Sequence, residues 1–181
     1  MFLKSGDISL RAVEPSDGEL LYIWENDMAL WRVSDRWTPF SMFEIDQLIL
    51  GAQDIRSQSQ LRLMIDIQKD KDKVAVGTVD LYDFDIVNSR AGIGIFIIKE
   101  HRGKGIAQTS IKLTEKYCFE TLKLHQVYAL VDADNPQSIR LFQSLNYSHS
   151  GKRIDWVNKG ETFVDQLLFQ KMITDYQFDI P

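Results

Sequence analysis

Cysteine is nearly absent: Cys118 is the one thiol in 181 residues, which excludes an internal disulfide and a cysteine-built zinc site. Long apolar runs are missing too. The longest, roughly Ala91 to Ile98, falls far short of the ~20 residues that span a bilayer, and Met1 to Leu10 lacks the apolar segment of a signal peptide. No linker rich in Pro, Gly or Ser, no low-complexity tract and no repeat divides the chain. The four prolines (Pro15, Pro39, Pro136, Pro181) fit segment edges or the terminus, so one domain over residues 1–181 is expected. Basic charge is in deficit: 21 Lys+Arg against 26 Asp+Glu give a net charge of −5, which argues against a broad nucleic-acid-gripping surface and leaves room for a cationic small substrate. His101, His125 and His149 form no metal-binding cluster, and no metal is expected. The cytoplasm is the expected compartment, with neither membrane nor nucleic acid as partner.

What is present is ordered alternation. Ile8–Val13 alternates like a strand, and Pro15-Ser16-Asp17 starts a helix carrying Leu20, Leu21, Ile23 and Trp24 at helical spacing. Ser41-Met-Phe-Glu44 has capping-box spacing and predicts a second helix through about Ala52. Leu61, Leu63, Ile65 and Ile67 alternate with Arg62, Met64, Asp66 and Gln68, and the charged turn Lys69–Lys73 leads to a second strand, Val74–Tyr82. A loop, Asp83–Arg90, precedes a nearly continuous apolar strand, Ala91–Lys99. Ile106 to about Leu122 is long enough for a helix of ~25 Å. Gln126–Val131 is a short strand, Pro136 opens a helix through Leu145, and Tyr147–Trp156 with Thr162–Met172 predict a closing hairpin.

The most informative stretch is Ile95-Phe-Ile-Ile-Lys-Glu-His-Arg-Gly-Lys-Gly-Ile-Ala-Gln108, where a strand ends in Arg102-Gly103-Lys104-Gly105 and becomes a helix at once. Glycines let several backbone N–H groups face one point, and a helix start favours an anion such as phosphate. Arg102 and Lys104 add positive charge. A P-loop is excluded because no G-K-(S/T) follows, and a Rossmann fingerprint fails for want of its third glycine. Taken alone, the stretch also reads as a tight strand-to-helix turn with solvated basic residues.

Arg102, Gly105 and Ala107 fit R-x-x-G-x-A, the pyrophosphate loop of the GNAT superfamily of acyl-CoA N-acyltransferases, which this sequence resembles along nearly its whole length. Asp134-Asn-Pro-Gln-Ser138 and Leu141-Phe-Gln-Ser-Leu-Asn-Tyr147 resemble the superfamily's later motif, N-x-x-(S/A)…(L/I)-Y-x-x-x-G-F. Leu10-Arg11-Ala12, Tyr22-Ile-Trp-Glu-Asn26 and Leu124-His125-Gln126 look most like the branch of ribosomal-protein alanine and spermidine acetyltransferases. The resemblance implies an α/β (α+β) GNAT fold, a mixed, mostly antiparallel sheet of about seven strands with about four helices packed on it. It implies acetyl-CoA as co-substrate, with amides from Gly103, Lys104, Gly105, Ile106, Ala107 and Gln108 on the pyrophosphate and a bulged strand at Phe96, Ile97 and Ile98 pairing with pantetheine. Asn135, Ser138 and Phe142 would line the cofactor; a turn-forming Asn before Pro136 is the competing reading of Asn135.

N-acetyl transfer needs a neutral amine, stabilisation of the developing oxyanion and a proton for the thiolate. Many relatives supply that proton from a tyrosine, and Phe142 stands in its place. Gly92 departs from the branch's Ala-Glu-x-G pattern, so a carboxylate base is absent there. Asp80, Asp83 and Asp85 are replacement candidates, Tyr82 one for positioning an amine. Trp31, Asp35 and Trp37 fall in the segment that covers the acceptor cleft in the resembling family, whereas Trp24 and Phe43 read as core. The acceptor is a polyamine-like small amine or a protein N-terminus; a CoA-binding sensor without catalysis is the alternative that Phe142 and Gly92 motivate. Trp156 is assigned to the closing hairpin or a subunit contact, and a homodimer remains open.

Overall fold

The computed structural model describes residues 3–31, 38–51 and 54–177. The strands are β1 (Lys4–Ser5), β2 (Ile8–Ala12), β3 (Leu61–Lys69), β4 (Asp72–Asp85), β5 (Arg90–Ile97), β6 (Gln126–Asp132), β7 (Ser148–Asn158) and β8 (Phe163–Met172). They form one sheet in the order β1-β2-β3-β4-β5-β6-β8-β7. The helices are α1 (Gly18–Glu25), α2 (Met28–Trp31), α3 (Met42–Gly51), α4 (Ile106–Lys116) and α5 (Pro136–Ser144). The extra strand is the two-residue β1, and the extra helix is the single turn α2, both too short to leave a periodic signal. No described helix is long and apolar enough to cross a membrane.

Local chemistry sets the helix ends. Ser41 Oγ accepts the Glu44 N–H at 3.2 Å while the Glu44 carboxylate accepts the Ser41 N–H at 2.8 Å, so the capping box forms in both directions. The Asn135 side chain accepts the Ser138 N–H at 3.1 Å and caps α5, whose first turn Pro136 pre-sets. α4 stops being α-helical at Lys116 and continues as a wider π turn, Tyr117–Thr121. That turn fully buries the sequence neighbours Cys118 and Phe119.

Two layers cover the sheet. On one face, Leu21 and Trp24 of α1 and Ile45 and Ile49 of α3 pack on Val13 and Met64. On the other, Ile111, Phe119 and Phe142 bury Leu10, Ile65, Ile93 and Val127. Alternation along β6 puts Val127, Ala129 and Val131 in this second core and sends Tyr128 and Leu130 to the opposite face. Seen across the strands, Tyr82, Gly92, Tyr128 and Gln170 form one register row.

One pairing positions the site. β5 and β6 run parallel, but their ladder covers only Arg90–Gly92 against Gln126–Tyr128. Beyond Gly92 the two strands diverge. β4 stays paired with β5 as far as Gly77 against Ile97, so the edge of β5 from Ile93 to Ile97 that faces β6 has no strand beside it.

Candidate active site

The opening between β5 and β6 ends at the glycine loop. Gly103 and Gly105 have φ of +74° and +77°, and a Cβ at either would meet nothing within 4 Å. Both are therefore glycine for their dihedrals. Thr109 donates its N–H to the Gly105 carbonyl at 3.1 Å, which leaves the amides of Ile106, Ala107 and Gln108 at the open end of α4. The Arg102 Nε donates to the Ile97 carbonyl at 2.8 Å, tying the loop to the end of β5. Backbone amides and a helix start of this kind have the geometry that suits an anion.

At the other end of the opening lies Tyr82. Its ring covers Gly92 and Gly94: a Cβ on Gly92 would come within 2.3 Å of the ring, and one on Gly94 within 3.8 Å. Neither glycine has a positive φ, so these two are glycine for space. Alternation assigns the β6 amides. Ala133 bonds Asp165 beyond the end of β8, so the Leu130 N–H, three residues back, points to the β5 side. It donates to the Tyr82 hydroxyl at 3.3 Å. The Tyr128 ring stands edge-on to Tyr82 at 5.7 Å, and its hydroxyl donates to Asp83 at 3.1 Å. Burial and the Asp83 carboxylate together push the Tyr128 hydroxyl well above its ordinary pKa.

Residues 7–148 match the acetyltransferase (GNAT) domain family. The chain belongs to that family. GNAT enzymes are acetyl-CoA-dependent N-acetyltransferases, and this chain is one of them. It is 29% identical over 147 residues to the spermidine N(1)-acetyltransferase of Escherichia coli K12, covering 80% of this chain and 75% of that one. The spermidine N(1)-acetyltransferase of Vibrio cholerae is 26% identical over 155 residues, 83% and 84% of the two chains. The crystal structure of spermidine N-acetyltransferase from V. cholerae in complex with CoA and spermine superposes with a TM-score of 0.85 at 23% identity, covering 95% of this chain and 99% of that one.

Within this GNAT fold several sequence-based expectations move. No register shift occurs at Phe96–Ile98; the shift in the β4–β5 ladder lies between Tyr82 and Asp85, where Asp83 takes φ +48°. The irregularity near Phe96 is a close approach instead: a Cβ on Gly77 would sit 2.0 Å from the Phe96 carbonyl. The Phe96 ring packs edge-on against Trp24 at 5.4 Å, and Ile98 lies just past the end of β5, capping a short 3-10 turn. β4 also runs on to Asp85, through the start of the predicted loop.

Asp80 is already committed. Arg62 grips both its oxygens, at 2.6 and 3.2 Å, and also pairs with Glu25 of α1. Burial opposes the guanidinium's charge, but Asp80 and Glu25 more than offset it and hold Arg62 above its ordinary pKa. Asp85 accepts bonds from Asn88 and pairs with Arg90 at 3.2 Å. Its carboxyl is held below the ordinary range by the Asn88 side-chain and backbone N–H groups. The ring of Phe142 is 3% exposed, packed edge-on to Tyr147 at 5.0 Å and stacked on Phe169 at 6.3 Å. Cys118 is buried, and burial raises its thiol pKa far out of the nucleophilic range.

Of the residues expected to cover the acceptor, Trp31 is half-buried and donates from Nε1 to the Glu25 carbonyl at 2.8 Å. Asp35 and Trp37 lie outside the described residues. Trp24 is core, as its spacing predicts, but Phe43 is 70% exposed on α3. An open groove of about 430 Å³ runs outward from Leu130, lined by Tyr128, Asp83, Asp85, Gln170 and Arg153. The role of Gly92 was missed in the sequence. The available signal was G-x-G in one strand facing an aromatic residue on the previous one, readable only once the register is known. Among the described residues no cluster of His, Cys, Asp or Glu is arranged to hold a metal.

Proposed function

We propose that this N-acetyltransferase acetylates a primary amine of a polyamine-like molecule by direct attack on acetyl-CoA in a ternary complex. The observation that carries this reading is the unpaired β5 edge joining two different chemistries. At its loop end, the amides of Gly103–Gln108 suit a pyrophosphate, with Arg102 and Lys104 beside them. The free edge up to Phe96 and Ile97, with Ile98 just past the strand end, suits the amide-bearing pantetheine arm, as an added strand would. Asn135, Ser138 and Phe142 fall on and before α5, beside β6. The Asn135 Oδ1 is engaged in capping, so its contribution to the cofactor is through the Nδ2 group.

The acceptor is a small amine on this reading. The groove outward from Leu130 carries Asp83 and Asp85 beside the Tyr128 ring, balanced by Arg90 and Arg153, so the preference for a cation rests on the charge of the whole chain and on its relatives. The net charge of −5 favours a cation. Relatives named spermidine N(1)-acetyltransferases support the substrate class. Direct attack is supported by Cys118, whose burial removes the one thiol able to form an acyl-enzyme.

Purified protein should release CoA thiol from acetyl-CoA when spermidine, spermine or a shorter diamine is added, and mass spectrometry should find the monoacetylated amine. Acetylation of N-terminal peptides alone would move the acceptor to a protein N-terminus. Thiol release by neither class would remove this reading.

A further inference from the structure

We infer that Tyr82 sets the length of acyl chain this enzyme accepts, its phenol closing the opening between β5 and β6 just beyond the place of an acetyl group. The role rests on the acetyl-transfer reading above, which lays the pantetheine arm along β5. The free edge runs from Ile97, next to the glycine loop, back to Ile93, about 16 Å of strand. It ends where Gly92 pairs with Tyr128. An arm lying along that edge carries its thioester toward the closed end, so whatever fills the closed end limits the acyl group.

What fills it is a phenol held from several sides. Gly92 and Gly94 supply the room: a Cβ on Gly92 would fall within 2.3 Å of the Tyr82 ring, and one on Gly94 within 3.8 Å. The ring thus lies against the β5 backbone and carries its oxygen across the strand to the Leu130 N–H at 3.3 Å. That N–H faces β5, where a continuing parallel ladder would place a carbonyl, so the hydroxyl stands in the opening itself. The Tyr128 ring meets the Tyr82 ring edge-on at 5.7 Å and is tied down by the bond from its own hydroxyl to Asp83 at 3.1 Å. The two side chains cross over Gly92 in opposite directions, Tyr82 from β4 to β6 and Tyr128 from β6 to the end of β4, and each blocks the other's retreat. A longer chain turned outward would enter the groove past Leu130 and strip water from Asp83, Asp85, Arg90 and Arg153. Each added methylene therefore meets a packed ring, and in a fitted pocket one methylene is worth about tenfold or more.

Calorimetric titration with acetyl-, propionyl- and butyryl-CoA, with no amine present, tests the stop independently of the acceptor. Wild type should bind propionyl-CoA about tenfold more weakly than acetyl-CoA, and butyryl-CoA more weakly still. Tyr82→Phe removes one heavy atom from the tip and should bring propionyl-CoA within about threefold of acetyl-CoA. Tyr82→Ala should do the same for butyryl-CoA; if it does not fold, Tyr82→Phe carries the test. CoA itself should bind wild type and variants alike, which a general loss of structure would not allow. Equal binding of the three acyl-CoAs by wild type, or the wild-type order kept in the variants, would overturn the stop while leaving acetyl transfer to spermidine intact. A graded series in calorimetry beside no thiol release with any amine would support the stop and count against the acceptor alone.

Discussion

Arg62 holds Asp80 in a two-point grip and reaches Glu25 at the end of α1, so a β3 side chain locks β4 to the helix layer above it. Asp80 is therefore a structural anion. Both partners are largely buried, and removing one leaves the other's charge poorly compensated. Asp80→Ala is expected to cost about 2 kcal/mol, read as a lower urea midpoint with an unchanged slope. At temperatures well below unfolding its kcat should stay within about fivefold of wild type, because both Asp80 oxygens are held by Arg62 and loss of a general acid or base costs about 100-fold or more.

Gly105 initiates α4 at a φ that L side chains rarely adopt. Gly105→Val should cost about 1–2 kcal/mol of stability from the left-handed backbone. It should also weaken CoA binding in calorimetry by more than Lys104→Ala does, since it disturbs the amides themselves. Equal affinity in wild type and Gly105→Val would remove the loop from the account.

Phe142 packs on Tyr147 and Phe169, so Phe142→Ala should lose about 3–5 kcal/mol through the cavity it leaves. Phe142→Tyr separates two mechanisms. If solvent protonates the leaving thiolate and the Phe142 ring is only a wall, the added hydroxyl should change kcat by no more than about threefold, well below the 100-fold scale of acid–base catalysis. A rise from a silent wild type to clear turnover would instead mean that the chain had lost its acid.

Asp17 provides a pH test. Burial raises its pKa, but bonds from the Arg11 guanidinium and the Glu14 N–H outweigh this and leave it below the ordinary value. The unfolded chain then binds more protons in this range than the folded one, so stability rises with pH. The contribution is complete above the unfolded pKa and is lost as pH falls through the folded one. Asp17→Asn should flatten the stability profile between about pH 5 and pH 2, measured by urea unfolding at each pH.

Much of the fold was legible because its signals are local. Alternation at Leu61–Ile67, the Ser41–Glu44 capping box and the glycines before Ile106 each depend on a few adjacent residues. The misses depend on register and partners. Nothing next to Asp80 in the chain announces Arg62, and Phe43 carries the apolar character of a core residue while its helical position faces solvent. The bulge went to Asp83 because strand irregularities follow twist and pairing across the ladder. The glycine loop and helix start at Ile106 were legible as a motif, whereas the fit of Tyr82 on Gly92 required knowing that the two are cross-strand neighbours.

The most direct test of where acetyl-CoA binds is a backbone amide NMR titration of wild-type protein with CoA. The account predicts that the largest shifts fall on Gly103–Gln108, on Ile93–Ile97 along the free edge of β5, and on Leu130 across the opening. Shifts concentrated on the β7–β8 hairpin, with the glycine loop and Leu130 unmoved, would contradict it.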